Sequence, residues 1–220
     1  MKKHLVIALI TILLTLIIDQ WIKVYIKLNF YYGESYSVFG DWFQLYFVEN
    51  EGMAFGWKIP FIGRVNAKIL LSLFRLIACG IIVYYIVGLI KRKVTMGLLI
   101  SVCLIFAGAF GNIIDSLIYG LIFSDSPSHL SITAELVPMG EGYAGFLTGK
   151  VVDMFQLSFF PPIFNFADVT ISVGVGMIIL FQRTSFQTEF FAKNAETEVD
   201  TNMESVSSDE ELSKDSNRLS

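Results

Sequence analysis

Residues 5–26 read LVIALITILLTLIIDQWIKVYI. A bilayer crossing needs roughly 20 apolar residues in a row, and this run meets that length. It is too long for the apolar part of a cleaved leader, which is usually about 7–15 residues. Asp19-Gln20-Trp21 also stands where a small-residue cleavage site would be needed. The run is therefore expected to be retained as a span. Its polar interruption, Asp19 with Lys23 four residues on, needs an explanation, because ionisable groups inside spans are rare.

Working outward, three more segments qualify as spans: about 69–90, 96–117 and 164–181. The whole chain is 54% hydrophobic over 220 residues, above the 45–50% or so of soluble domains even with glycine counted. Its mean hydropathy is +0.62. These values place it among membrane proteins. The net charge of −4 comes largely from the end of the chain, and the remainder is close to neutral. Cys79 and Cys103 lie in apolar runs and read as small buried hydrophobes, with no disulfide implied.

Positive charge marks alternate ends of the spans. Lys2 and Lys3 precede the first, Lys91-Arg92-Lys93 joins the second and third, and Arg183 follows the fourth. By the positive-inside rule those ends are cytoplasmic, so both termini lie inside and loops 27–68 and 118–163 lie outside. DWFQLYFVEN, 41–50, alternates with period two and predicts short strands at the membrane surface. The stretch 122–150 is rich in Ser, Gly and Pro and reads as a surface insert. The domain expectation is a membrane unit over 1–186 and an acidic, disordered cytoplasmic tail over 187–220.

Depth can be counted at about 1.5 Å per residue. Asp19 lies roughly 20 Å from Leu5, Asp115 near the outer end of the third span, and Asp168 in the opening turns of the fourth. Asp153 belongs to the outer loop just before that span. All four acids approach one outer interface. Asp19 and Lys23 share a helix face and can pair, and Asn112 and Asp115 also lie on one face. Gly108 and Gly111 precede that second pair, and small residues let a neighbouring backbone come close. Each feature has an ordinary reading taken singly: an interfacial ion pair, a packing glycine, a solvated loop acid. Convergence at one depth argues for more. Arg75, midway along the second span, needs an acidic or carbonyl partner whatever the function.

The sequence has no GxSxG elbow, no HExxH, no P-loop, no GxGxxG and no CxxC, and no basic face for nucleic acid. Metal and cofactor chemistry are not expected. Two convergent carboxylates remain. Such a pair shares a proton when poorly hydrated, and can hydrolyse a peptide by acid–base action on water. The same acids would also serve a proton-coupled transporter. Spacing leaves both readings open, together with a purely structural scaffold.

Five blocks, in this order on a four-span chain, resemble the lipoprotein signal peptidase (signal peptidase II) family. They are Asp19–Lys23 (DQWIK), Asn50–Gly56 (NEGMAFG), Gly111–Asp115 (GNIID), Val151–Phe155 (VVDMF) and Phe164–Asp168 (FNFAD). The resemblance covers about His4 to Arg183. It implies a mostly α membrane protein: four transmembrane helices with a small extramembrane β-sheet cradle. It implies an aspartic endopeptidase with Asp153 and Asp168 as the catalytic pair. Asn50, Gly52, Asn112, Asp115, Asn165, Asp19 and Lys23 would support the site or the substrate. The implied substrate is a diacylglyceryl-modified prolipoprotein, cut just before its lipidated cysteine. No cofactor is implied. The enzyme would be a monomer in contact with membrane lipids of the bacterial inner membrane, and inhibited by globomycin-type depsipeptides. Two departures stand out. Ser116 occupies a position where the family usually has arginine, so Arg75 becomes a candidate substitute. The 122–150 insert is longer than the family's usual link, and is expected to form a lid or docking surface.

Overall fold

A computed structural model describes residues 1–50 and 64–188. In chain order it contains helix α1 (Lys2–Asn29), strands β1 (Ser35–Phe39) and β2 (Phe43–Asn50), and helix α2 (Arg64–Arg92). Helix α3 runs from Met96 to Ile114 and continues through a π-helical segment, Asp115–Tyr119, into a last turn, Gly120–Ile122. Strands β3 (Val151–Leu157) and β4 (Phe160–Phe164) and helix α4 (Phe166–Phe181) follow.

Three of these helices are long and apolar enough to cross a membrane: Lys2–Asn29, Lys68–Arg92 and Met96–Ile122. The fourth apolar helix, Phe166–Phe181, has 16 residues, or about 24 Å at the usual rise. It starts two residues later than the span expected from the sequence, because 160–164 is drawn into the sheet.

Helix α1 is inverted relative to a soluble helix. Leu9, Ile10, Leu13, Ile17 and Trp21 are exposed, whereas Thr15, Asp19, Lys23 and Lys27 are buried. An apolar outer face over a polar inner one suits a lipid surround. Helices α3 and α4 pack closely because glycine permits it. A Cβ on Gly108 would collide with the Ala167 carbonyl oxygen and lie 2.5 Å from Thr170 Oγ1. One apolar core joins α1, α2 and α3 around Ala8, Leu89, Leu98 and Cys103. A second lies at the opposite end of α1, under the sheet, around Ile26, Phe47, Tyr119, Phe123, Val152 and Met154.

The sheet is antiparallel in the order β1-β2-β3-β4. The alternation read in residues 41–50 is present: Phe47 and Glu49 turn inward toward the second core. Asp153 does not lie in a loop, as expected from the sequence. It sits within β3, opposite Val48 of β2. The stretch 157–160 turns as a hairpin, pairing Leu157 with Phe160. Pro161 and Pro162 therefore lie in β4, at the sheet edge, where a missing N–H is tolerated. The pair also blocks helix formation, so α4 begins only after it.

The insert is irregular and closely held. Ser124 N donates to Glu135 O at 2.9 Å, and Gly149 N donates to Ser116 O at 2.9 Å, against the π-helical segment. The acidic tail beyond residue 188, and Gly52 with the rest of 51–63, lie outside the described residues.

Candidate active site

The site is built around the start of α4. Asn165 is its N-cap: the Asn165 side chain accepts from Asp168 N at 3.1 Å, and Asp168 Oδ2 accepts from Asn165 N at 3.2 Å. This reciprocal capping satisfies two of the helix's orphan donors. It also fixes both side chains. Asn165 Nδ2 is left pointing at β3, where it donates to Asp153 Oδ1 at 2.6 Å. Asp153 Oδ2 accepts from Asn50 Nδ2 at 3.1 Å, from the end of β2. A helix cap and a strand pair thus bring Asp153 and Asp168 to the two sides of one asparagine.

Asn112 ties α3 into the same cluster. Its Nδ2 donates to Asp168 Oδ1 at 3.1 Å, and its Oδ1 accepts from Asn165 Nδ2 at 3.1 Å. Lys23 Nζ donates to the same Asn112 oxygen at 2.8 Å. Lys23 also pairs with Asp19 Oδ2 and Asp115 Oδ2, each at 3.0 Å, with all three side chains fully or almost fully buried. A Cβ on Gly111 would meet Asp19 Oδ2 at 2.5 Å, so the α1–α3 approach at the triad also depends on glycine.

Every described residue expected from the sequence to belong to the site lies in this network: Asp19, Lys23, Asn50, Asn112, Asp115, Asp153, Asn165 and Asp168. Gln20 was not anticipated. Its Nε2 reaches Asp115 Oδ1 at 3.0 Å, Asp19 Oδ2 at 3.1 Å and Gly111 O at 3.2 Å, and its Oε1 accepts from Tyr119 at 3.1 Å. Its place beside Asp19, inside the DQWIK block, was the only signal. Asp115 Oδ2 further accepts from Val152 N at 3.3 Å, which links the triad to the backbone next to Asp153.

Burial, and after it the charge of Asp168, push the Asp153 carboxyl up to about 7, against the opposing donations of Asn50 and Asn165. Asp153 can therefore hold a proton near neutrality. Arg75 is half-buried on α2 and is in electrostatic reach of Asp168, Asp153 and Asp115. Its helix neighbours Ser72 and Cys79 are buried, and Ser72 donates to Leu147 O at 3.2 Å, so this face of α2 turns inward. Among the described residues no group of His, Cys, Asp or Glu is arranged to hold a metal ion.

Comparison with known proteins adds the following. Residues 11–183 match the family model described as signal peptidase (SPase) II. The chain is 40% identical over 194 residues to the lipoprotein signal peptidase of Porphyromonas gingivalis, covering 79% of this chain and 81% of that one. It is 34% identical over 196 residues to the lipoprotein signal peptidase of Amoebophilus asiaticus, covering 80% and 77%. In fold it is similar to a bacterial membrane enzyme solved by the in meso method at 1.9 Å, with a TM-score of 0.54 and 24% identity, covering 82% of this chain and 92% of that chain.

Proposed function

Because the chain belongs to the signal peptidase II family, we propose that it cleaves diacylglyceryl-modified prolipoproteins just before the lipidated cysteine, with Asp153 and Asp168 as an aspartic catalytic pair. The observation that carries this reading is Asn165, bonded to Asp153 through its side chain and to Asp168 through the α4 capping box. Two acids held about one amide cannot both ionise easily, so the pair shares one proton. The ionised member takes a proton from the attacking water, and the protonated member donates to the scissile carbonyl oxygen. The tetrahedral intermediate then collapses, and the leaving amine takes up a proton.

Asn50, Asn112 and Asn165 orient the carboxylates without adding charge. The Asp19–Lys23–Asp115 triad holds Asn112 and the start of β3. Gly52, two residues after the end of β2 and outside the described residues, is assigned to the substrate cradle. Arg75 takes the electrostatic role that Ser116 cannot.

In the proposed topology all four apolar helices cross the inner membrane and both termini are cytoplasmic. Two contacts support this placement. His4 Nε2 bonds Val94 O at 3.0 Å, and Thr95 Oγ1 donates to Gln182 Oε1 at 3.0 Å. These gather the basic ends of α1, α2 and α4 at one end, with the acids at the other. The site then lies near the outer face, at the depth of the substrate's lipid anchor. The enzyme acts as a monomer and takes a globomycin-type depsipeptide as inhibitor.

The test is cleavage of a lipidated prolipoprotein by the purified chain. Asp153→Asn and Asp168→Asn should each lower the rate by a factor of about 10²–10⁴ or more while leaving the fold intact. Wild-type rates in either variant overturn the assignment. A proton-coupled transporter would instead show proton-linked flux in vesicles and no cleavage.

A further inference from the structure

A second buried charge cluster lies behind the sheet. Lys27 continues the i,i+4 series of Asp19 and Lys23 on α1, and its ammonium is fully buried. It forms an ion pair with Glu49 Oε1 and lies 3.4 Å from Ser126 Oγ. It also sits over the rings of Phe123 and Tyr143, at 5.4 and 5.0 Å from their centroids. The other Glu49 oxygen accepts from Lys150 Nζ at 3.0 Å, and Lys150 also reaches Asp125 Oδ1 at 3.0 Å. The backbone N–H of Lys150 donates to Tyr143 OH at 2.6 Å. Two cations thus meet two anions, and three parts of the chain meet with them: the end of α1, the end of β2, and both ends of the insert.

The position of this cluster along the strands gives it a role. Glu49 is adjacent to Asn50, and Lys150 immediately precedes β3. In the β2–β3 register Glu49 stands opposite Val152, Asn50 opposite Val151 and Val48 opposite Asp153. Strand side chains alternate between faces. Glu49 and Val152 therefore face the ion cluster, while Asn50 and Asp153 face the dyad. A long irregular segment enters β3, and without an anchor its end would be free to wander.

We propose that the Lys27–Glu49–Lys150 cluster makes Glu49 a positioning residue for peptidase catalysis, clamping the insert to the reverse face of β2 and β3 so that Asn50 stays in register to donate to Asp153. The role assigned to the insert is thus that of an anchor for the strand carrying Asp153. This rests on the peptidase reading above.

The test uses the full chain and a lipidated prolipoprotein, with Glu49→Gln as the variant. Misplaced catalytic groups lower turnover rather than binding, so kcat should fall about tenfold or more with KM changed less than about twofold. The alkaline limb of the pH–rate profile should move upward, because Asn50 donates less well to Asp153. Hydrogen exchange at Val152 and Asp153 should accelerate. A folded variant with unchanged kcat and an unmoved limb overturns the proposal. So does a loss of rate that only tracks the loss of folded protein. If Glu49→Gln does not fold, Lys150→Gln, at the partly exposed side of the cluster, replaces it with the same expected pattern. If the wild-type chain cleaves no prolipoprotein, the peptidase reading fails separately, and exchange at Val152 and Asp153 still decides whether the clamp holds β3.

Discussion

Lys23 donates to Asn112 Oδ1 at 2.8 Å, and that contact sets which way the Asn112 amide faces. An ammonium only donates, so the asparagine must turn its oxygen toward it. Its nitrogen is then left for Asp168 Oδ1, 3.1 Å away. The ion triad between α1 and α3 therefore orients a carboxylate on α4 that it does not touch.

Removing the lysine should be severe. Lys23→Met leaves Asp19 and Asp115 buried together without their shared cation. Breaking a buried pair in this way typically removes about 3–5 kcal/mol of stability. Thermal unfolding in detergent should show a large drop in Tm. A variant within about 0.5 kcal/mol of wild type would mean that the triad contributes no net stability.

Asp153 predicts a pH dependence of both rate and stability. Its folded-state carboxyl is raised from the ordinary carboxylate range up to about 7, by burial first and then by Asp168. A raised value means that the charged form is the disfavoured one. Its contribution to stability is complete below the ordinary range and is lost as pH rises through about 7. Between pH 5 and pH 8 the wild-type Tm should fall, and Asp153→Asn should fall less. In the wild type kcat/KM should also decline above about 7, as the shared proton leaves. Parallel Tm curves for the two proteins would contradict this.

Arg75 is expected to act on the dyad through its charge. Arg75→Ala should lower prolipoprotein cleavage by at least about tenfold, the equivalent of 1.4 kcal/mol in the barrier. Arg75→Lys should recover part of the loss, since it keeps charge without the guanidinium fork. Wild-type rates in Arg75→Ala would remove the residue from the site.

Gly111 should tolerate no side chain. A Cβ there would meet Asp19 Oδ2 at 2.5 Å and Asp19 Cγ at 3.2 Å, and Asp19 is held in place by Lys23 and Gln20. Gly111→Ala should lose about 1–3 kcal/mol by overpacking, read as a lowered Tm. A control at Gly80, where a Cβ meets nothing within 4 Å, should be neutral or slightly stabilising.

Asp19 and Lys23 stand out in the chain because lipid makes them conspicuous, whereas Asn50 and Asn165 came only from the family resemblance. In a run as apolar as residues 5–26, an aspartate and a lysine four apart need each other, and the structure pairs them at 3.0 Å. The alternation in 41–50 similarly announced β2. Gln20, Lys27 and Glu49 were harder to single out. Gln20 and Glu49 each stand beside a more conspicuous residue, and Lys27 stands among apolar ones, so contacts far apart in the chain were needed to show their roles. The i,i+4 series Asp19, Lys23, Lys27 did carry a signal for Lys27, since one helix face repeats at that interval.

What the amino-acid order determined by itself is local and compositional: apolar runs of membrane length, the period-two strand, and the Asp19 and Lys23 pair four residues apart. These depend on hydropathy and on neighbours within a turn or two, which are contained in the sequence. Only the tertiary structure decided that Asp153 lies within a strand, that Asn165 bridges it to the capping box of Asp168, and that the insert closes on Lys27 and Glu49. The Asn165–Asp153 contact spans 12 positions and the Lys150–Glu49 contact 101, between elements whose register and packing are set by the whole core. No local preference encodes that register, because a one-residue slip of β3 would turn Asp153 to the other face of the sheet.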